Sequence, residues 1–151
     1  MIRYLSVAAL LAVGATAVYA QGAGGAAAIK ERQAAMKSQA QAMYRVILPM
    51  IKGEKPFDQA EAVNSFKAVA ESTAKLKTLW PDDSKTGGET RALPKIWETN
   101  KDFMEWIDQT VADSNAVQPT VKDLASLKGA FDKVNESCNG CHKDYRQPPK
   151  K

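Results

Sequence analysis

Cys138-Asn139-Gly140-Cys141-His142 is the stretch around which the rest of the chain is organised. Two cysteines separated by two residues and followed at once by histidine form the pattern that attaches c-type haem. The spacing has a chemical reason. On a helix, Cys138 and Cys141 stand at i and i+3 on one face, where both sulfurs can add to the two vinyl groups of one porphyrin. His142 lies one turn beyond Cys138, so its imidazole can reach the iron from the same side. It is the only histidine in the chain, which excludes a bis-histidine cytochrome. Two blander readings compete. A redox-active Cys-x-x-Cys pair belongs near a strand-helix-strand pattern, which is missing here. A structural zinc takes four Cys or His ligands, and this chain offers two cysteines and one histidine.

The other end of the chain reads as an export signal. Within Met1 to Ala20, Arg3 supplies a positive start, Leu5 to Val18 an apolar run, and Val18-Tyr19-Ala20 small residues suited to cleavage after Ala20. The run is short and alanine-rich for a membrane span; the competing reading is a retained N-terminal anchor. Cleavage would leave a single domain over residues 21–151 with no membrane anchor, large enough to bury a core without disulfides. Because c-type haem is attached outside the bacterial cytoplasm, the signal and the cysteine motif support each other. A formal charge of +4 is small and dispersed. It gives no case for nucleic acid and permits salt-sensitive docking to acidic partners.

Between the two ends the periodicity is helical throughout. A first segment from about Ala26 to Ile51 repeats like a heptad, with Ile29, Met36, Met43 and Met50 on one seam and Gln33, Ala40 and Ile47 between them. Pro49 should kink or loosen its last turns. Asp58 caps a second helix to about Leu79 that buries Val63, Phe66, Ala70, Thr73 and Leu76. Pro81 to Leu93 is a long loop, of the kind that is functional or covers something. A third helix opens at Pro94 and presents Ile96, Asn100, Phe103, Ile107 and Val111. Thr120 is expected to cap a fourth, running to about Arg146 with Leu124, Leu127, Phe131 and Val134 as its apolar stripe. Cys138, Cys141 and Tyr145 continue that stripe. The porphyrin should therefore insert into the interior of an all-α bundle. No methionine follows His142, so a protein ligand on the sixth iron position must come from upstream, and a mitochondrial-type cytochrome is disfavoured.

Over nearly all of the mature chain the sequence resembles the cytochrome c prime family, including its low-spin, methionine-ligated relatives. The likeness rests on Arg32-Gln33-Ala34-Ala35-Met36, Lys52-Gly53-Glu54-Lys55-Pro56-Phe57, Pro94-Lys95-Ile96-Trp97, and the block from Cys138 to Arg146. It implies an antiparallel four-helix bundle, a periplasmic location, and frequently a homodimer packed through the first two helices. It also implies that Cys138 and Cys141 hold the thioethers and His142 the proximal iron bond, with Arg146 flanking the imidazole. Arg32, with Gln33 beside it, would face the haem propionates, and Glu89 and Thr90 the haem edge. An arginine beside propionates has a physical use, since buried anions need a charge-assisted partner.

Met36 is the residue on which the mechanism turns. It is either ordinary core, a methionine filling an irregular gap, or the residue over the distal haem face, as ligand or as lid. Met43 and Met104 are less well placed. Two functions follow. One is a carrier exchanging single electrons with periplasmic redox partners through a Met/His-ligated iron. The other is a five-coordinate haem protein that binds or scavenges nitric oxide or carbon monoxide. Substrate turnover by an enzyme is not indicated, since no acid–base pair stands beside a nucleophile.

Overall fold

The computed structural model describes residues 17–148, with side chains from residue 24 onward. Most of the expected signal segment, Met1 to Thr16, lies outside the described residues. The described chain is all helix: α1 (Ala17–Ala40), α2 (Leu48–Ile51), α3 (Gln59–Lys75), α4 (Lys95–Glu98), α5 (Asn100–Val117) and α6 (Leu124–Tyr145). A π-helical segment, Gln41–Ile47, joins α1 to α2, so these three pieces form the first long helix of a four-helix bundle. α3 packs against α1 and α5, and α5 packs against α6. No described helix is long and apolar enough to cross a membrane.

The expected proline effect is present, as a widening rather than a kink. Pro49 has no N–H to donate and its ring crowds the carbonyl four residues back. Ahead of it the chain changes to i→i−5 bonding, and the Leu48 N–H donates to Met43 O. α1 itself is α-helical, and its buried Ala28, Ile29, Arg32 and Ala35 follow the 3.6 repeat; Ala42 and Met43 continue the buried face in the π-helical segment. Of the heptad seam Ile29, Met43, Ile47 and Met50 are buried, while Gln33 and Ala40 are exposed. Met36 is half-buried, whereas Met43 and Met50 are fully enclosed.

Asp58 caps α3 as expected, its carboxylate accepting from the Glu61 N–H at 2.9 Å. Phe66, Ala70, Thr73 and Leu76 are buried along it, and Val63 partly so. The third helix differs from expectation. It breaks at Thr99, which separates α4 from α5. Ile96, Phe103 and Ile107 are buried as expected, but Asn100 is exposed and Val111 only half-buried; Thr110, Ser114 and Val117 follow Ile107 inward. The cap of α6 is Asp123, in a reciprocal capping box with Ser126, and not Thr120, which ends a 3-10 turn. With the start moved, Leu124 falls in the first turn beyond the core and is 46% exposed.

Two hydrophobic clusters fill the bundle. One is tightly closed and combines Met43, Ile47, Met50, Phe66, Leu127, Phe131 and Val134. The other joins Ala35, Leu76, Ile96, Phe103, Ile107 and Tyr145, with Met36, Trp80, Trp97, Met104 and Trp106 only partly covered around it. Phe131, on the α6 stripe leading to Cys138, is packed edge-on against Tyr44 at 6.1 Å between centroids. Truncation at such a site removes both transfer energy and packing. Phe131→Ala is expected to destabilise the protein by about 3–5 kcal/mol in denaturant titration. An unchanged midpoint would mean that the ring is not part of the core.

Candidate functional site

The cysteine motif lies where the two clusters meet. Cys138 packs against the closed cluster and Cys141 against the open, aromatic-rich one. α6 carries the motif this far inward because Leu127, Phe131 and Val134 already point its stripe at the interior. Gly140 allows α5 to approach from behind. A Cβ at this position would lie 2.3 Å from the Trp106 ring, so the indole packs directly on the backbone between the cysteines.

Both thiols are free and largely removed from solvent. Burial pushes Cys138 up to about 11 and, with the charges of Cys138 and Asp144 adding to it, Cys141 up to about 12. A redox-active Cys-x-x-Cys pair needs a depressed, partly exposed thiol. These are the reverse, which weighs against the thiol–disulfide reading. His142 is half-buried beside them. Burial first, then the charges of Arg146 and Arg91, lower its basicity, so the imidazole stays neutral with a lone pair free for a metal.

On the opposite wall, Arg32 is 5% exposed. Its guanidinium donates to Leu79 O at 3.2 Å, to Ser84 Oγ at 3.0 Å and to Ser84 O at 3.0 Å, and lies 4.3 Å over the Trp80 ring. Among the described residues no carboxylate pairs with it. The neighbouring Trp80 Nε1 is buried and has no acceptor at all. A buried cation without an anion, next to an unsatisfied donor, is costly unless a ligand brings oxygens to both. Haem propionates have that chemistry, and the half-covered tryptophans offer apolar surface to a flat ring. The residues present therefore fit the group.

The loop that presents Ser84 is held by close approach to α1. The Gly25 N–H donates to Asp83 Oδ2 at 3.1 Å, and a Cβ on Gly25 would lie 2.4 Å from Asp83 O. Further along, Gln33 Nε2 donates to Glu89 O at 2.6 Å, which brings those two expected haem-edge residues together. Thr90 Oγ1 accepts from the Ala92 N–H at 3.2 Å. The same loop pairs with the end of α6 through an isolated β-bridge between Ala92 and Arg146. Leu93 N–H donates to Tyr145 O at 3.0 Å and Gln147 N–H to Arg91 O at 2.8 Å.

Met36 borders the aromatic-rich cluster together with Cys141, one turn along α1 from Arg32. Met43 belongs to the other cluster, while Met104 on α5 also borders the cluster of Cys141. Sequence reasoning missed Trp80, Ser84, Arg91, Trp106 and the buried Asp113. The last is held by Ser137 Oγ at 2.5 Å and Lys133 Nζ at 3.2 Å, next to the first haem cysteine. Burial alone would raise its carboxyl, but hydrogen bonds from Ser137, Gln109 and Lys133 outweigh that and hold it below the usual range. A depressed carboxylate contributes stability above its unfolded-state value, and loses it as pH falls through the folded one. Ser137→Ala should thus cost roughly 1–3 kcal/mol near neutral pH and move acid unfolding to higher pH. A wild-type acid transition in the variant would show that the hydroxyl does not hold the charge.

Comparison with known proteins agrees with this geometry. The profile of the family described as Cytochrome C' matches residues 27–146. The cytochrome c' of Rhodopseudomonas palustris is 40% identical over 145 residues, covering 96% of either chain. The crystal structure of cytochrome c' from Rhodopseudomonas palustris superposes with a TM-score of 0.78 at 42% identity, over 82% of this chain and 98% of that one. A nitric oxide complex of a variant cytochrome c prime from Alcaligenes xylosoxidans superposes at 0.71 with 26% identity, over 82% of this chain and 97% of that one. Kinship that runs from α1 through the whole haem motif, on a bundle whose interior suits a porphyrin, makes this chain a member of the cytochrome c' family, a c-type cytochrome with covalent haem c.

Proposed function

We propose that the chain is exported to the periplasm and carries single electrons there, with His142 as proximal and Met36 as distal iron ligand. When bound, haem c supplies reversible one-electron exchange at its iron. The chain's own residues do the rest. Cys138 and Cys141 would tether the ring, the neutral His142 imidazole would offer its lone pair to the iron, and Arg32 with Trp80 Nε1 would hold the propionates. The half-buried aromatic residues would exclude water from the ring, and a thioether from Met36 would favour the reduced state and keep the site rigid. Cleavage after Ala20 belongs to this reading, as do redox partners in the periplasm.

The observation that carries the proposal is the position of Met36. It shares the open cluster with Cys141, one turn from a buried arginine that lacks a carboxylate. The second reading, five-coordinate gas binding with Met36 as a lid, is favoured by the nitric oxide complex of the Alcaligenes xylosoxidans relative. Visible absorption spectra of the purified oxidised and reduced protein, before and after carbon monoxide, separate the two. Low-spin spectra in both oxidation states with sluggish carbon monoxide binding are expected; a high-spin spectrum would promote the gas-binding reading.

A further inference from the structure

We infer that Arg91, Lys143 and Arg146 form a docking surface beside the proximal histidine for an acidic redox partner protein; the inference rests on the carrier reading above. Most lysines of the described chain that could compete for such a role are already neutralised. Lys55 pairs with Glu61, Lys67 with Glu71, Lys77 with Asp108, Lys95 with Asp144, and Lys101 with Glu105. Among the described residues, Arg91, Lys143 and Arg146 make no ion pair, although all three lie at one end of the bundle. Lys143 and Arg146 are exposed, and Arg91 is half-exposed.

Their grouping is built by the backbone. The bridge between Ala92 and Arg146 holds the loop before α4 against the end of α6. The Arg91 Nε donates to Gln147 O at 3.1 Å and its Nη2 donates to the same oxygen at 2.5 Å, which fixes the guanidinium next to the chain leaving Arg146. After burial, the charge of Arg91 is what lowers the basicity of Arg146. Two like charges held this close repel each other unless an anion lies between or over them. Among the described residues the Arg91 guanidinium bonds only to the Gln147 carbonyl and meets no carboxylate. The nearest acids on these elements leave the patch positive: Asp144 is taken by Lys95, and Glu89 is exposed and unpaired.

Such a patch steers an encounter at low ionic strength and orients it, with the half-buried His142 at the contact. A carboxylate-terminated alkanethiol monolayer on gold is the probe that stands in for an acidic partner surface. The holoprotein is expected to adsorb on it at about 10 mM salt, to give a reversible voltammetric couple, and to desorb near 0.5 M salt. The double variant Arg91→Gln/Lys143→Gln should lose about fivefold or more of the adsorbed electroactive signal, while its haem content stays that of the wild type. The control Lys67→Gln/Lys101→Gln removes the same net charge from ion-paired positions on α3 and α5 and should behave as wild type. Equal losses in both double variants would reduce the effect to net charge and overturn the proposal, as would an unchanged signal in the first. Failure of the carrier reading registers elsewhere, as a high-spin spectrum, whichever surface the protein uses.

Discussion

Acidified acetone is expected to leave the haem on the wild-type polypeptide and to strip it from Cys138→Ala/Cys141→Ala. Two thioether bonds survive conditions that break a histidine–iron bond, so about one haem per chain should stay in the precipitate, against none for the double variant. The packing gives this experiment a second readout. Without a tethered ring, Trp80, Trp97 and Trp106 remain half-covered, and Arg32 keeps a buried charge that no described carboxylate neutralises. A tethered haem stays on the unfolded chain but makes its contacts with the bundle interior only in the fold, at the high effective concentration the tether sets, and so stabilises the folded state. The double variant should therefore unfold at lower denaturant concentration than the holoprotein. Haem that leaves the wild-type chain freely would remove the chemical basis of the whole reading.

What could be read from the sequence divides along a physical line. The helices and the motif are local: Asp58 before α3 and the run Leu127, Phe131, Val134, Cys138 declare themselves within a few turns, and the structure agrees with them. Errors arose where a local rule met a competing one. Thr120 looked like a cap, but the Asp123–Ser126 box three residues later satisfies more donors, and it leaves Leu124 outside. The face of the third helix was projected straight through Thr99, where the chain breaks. On the heptad seam Ile47 is buried but the polar Gln33 and the small Ala40 are not. Of the site's walls the family resemblance pointed to Arg32, Gln33, Glu89, Thr90 and Arg146; their partners were not legible, because the pairs join residues far apart. Arg32 meets Ser84, Arg91 meets Gln147, and Asp113 meets Ser137. No periodicity announces such pairs, since each depends on how a loop lies across the bundle.

Met36→Ala is expected to convert a low-spin protein into a high-spin one, with faster carbon monoxide binding and a lowered reduction potential. His142 is the only histidine, so no second imidazole can replace a lost thioether. Met43 and Met50 are enclosed in the other cluster and would have to leave it to reach the ring. Met104 borders the same cluster as Met36, so Met104→Leu is the necessary control and should keep the wild-type spectrum. A soft sulfur ligand stabilises the reduced iron, and its removal lowers the potential. Gas binding accelerates because the Met36 side chain no longer has to move aside first. If Met36 is a lid, the wild type is high-spin from the start, and the substitution changes gas access while the oxidised spectrum stays as it was. That outcome would end the electron-carrier mechanism drawn here and leave the same residue as a steric gate. A low-spin wild type that becomes high-spin only in Met104→Leu would instead assign the sulfur to α5 and place the distal ligand on the wrong wall of the bundle.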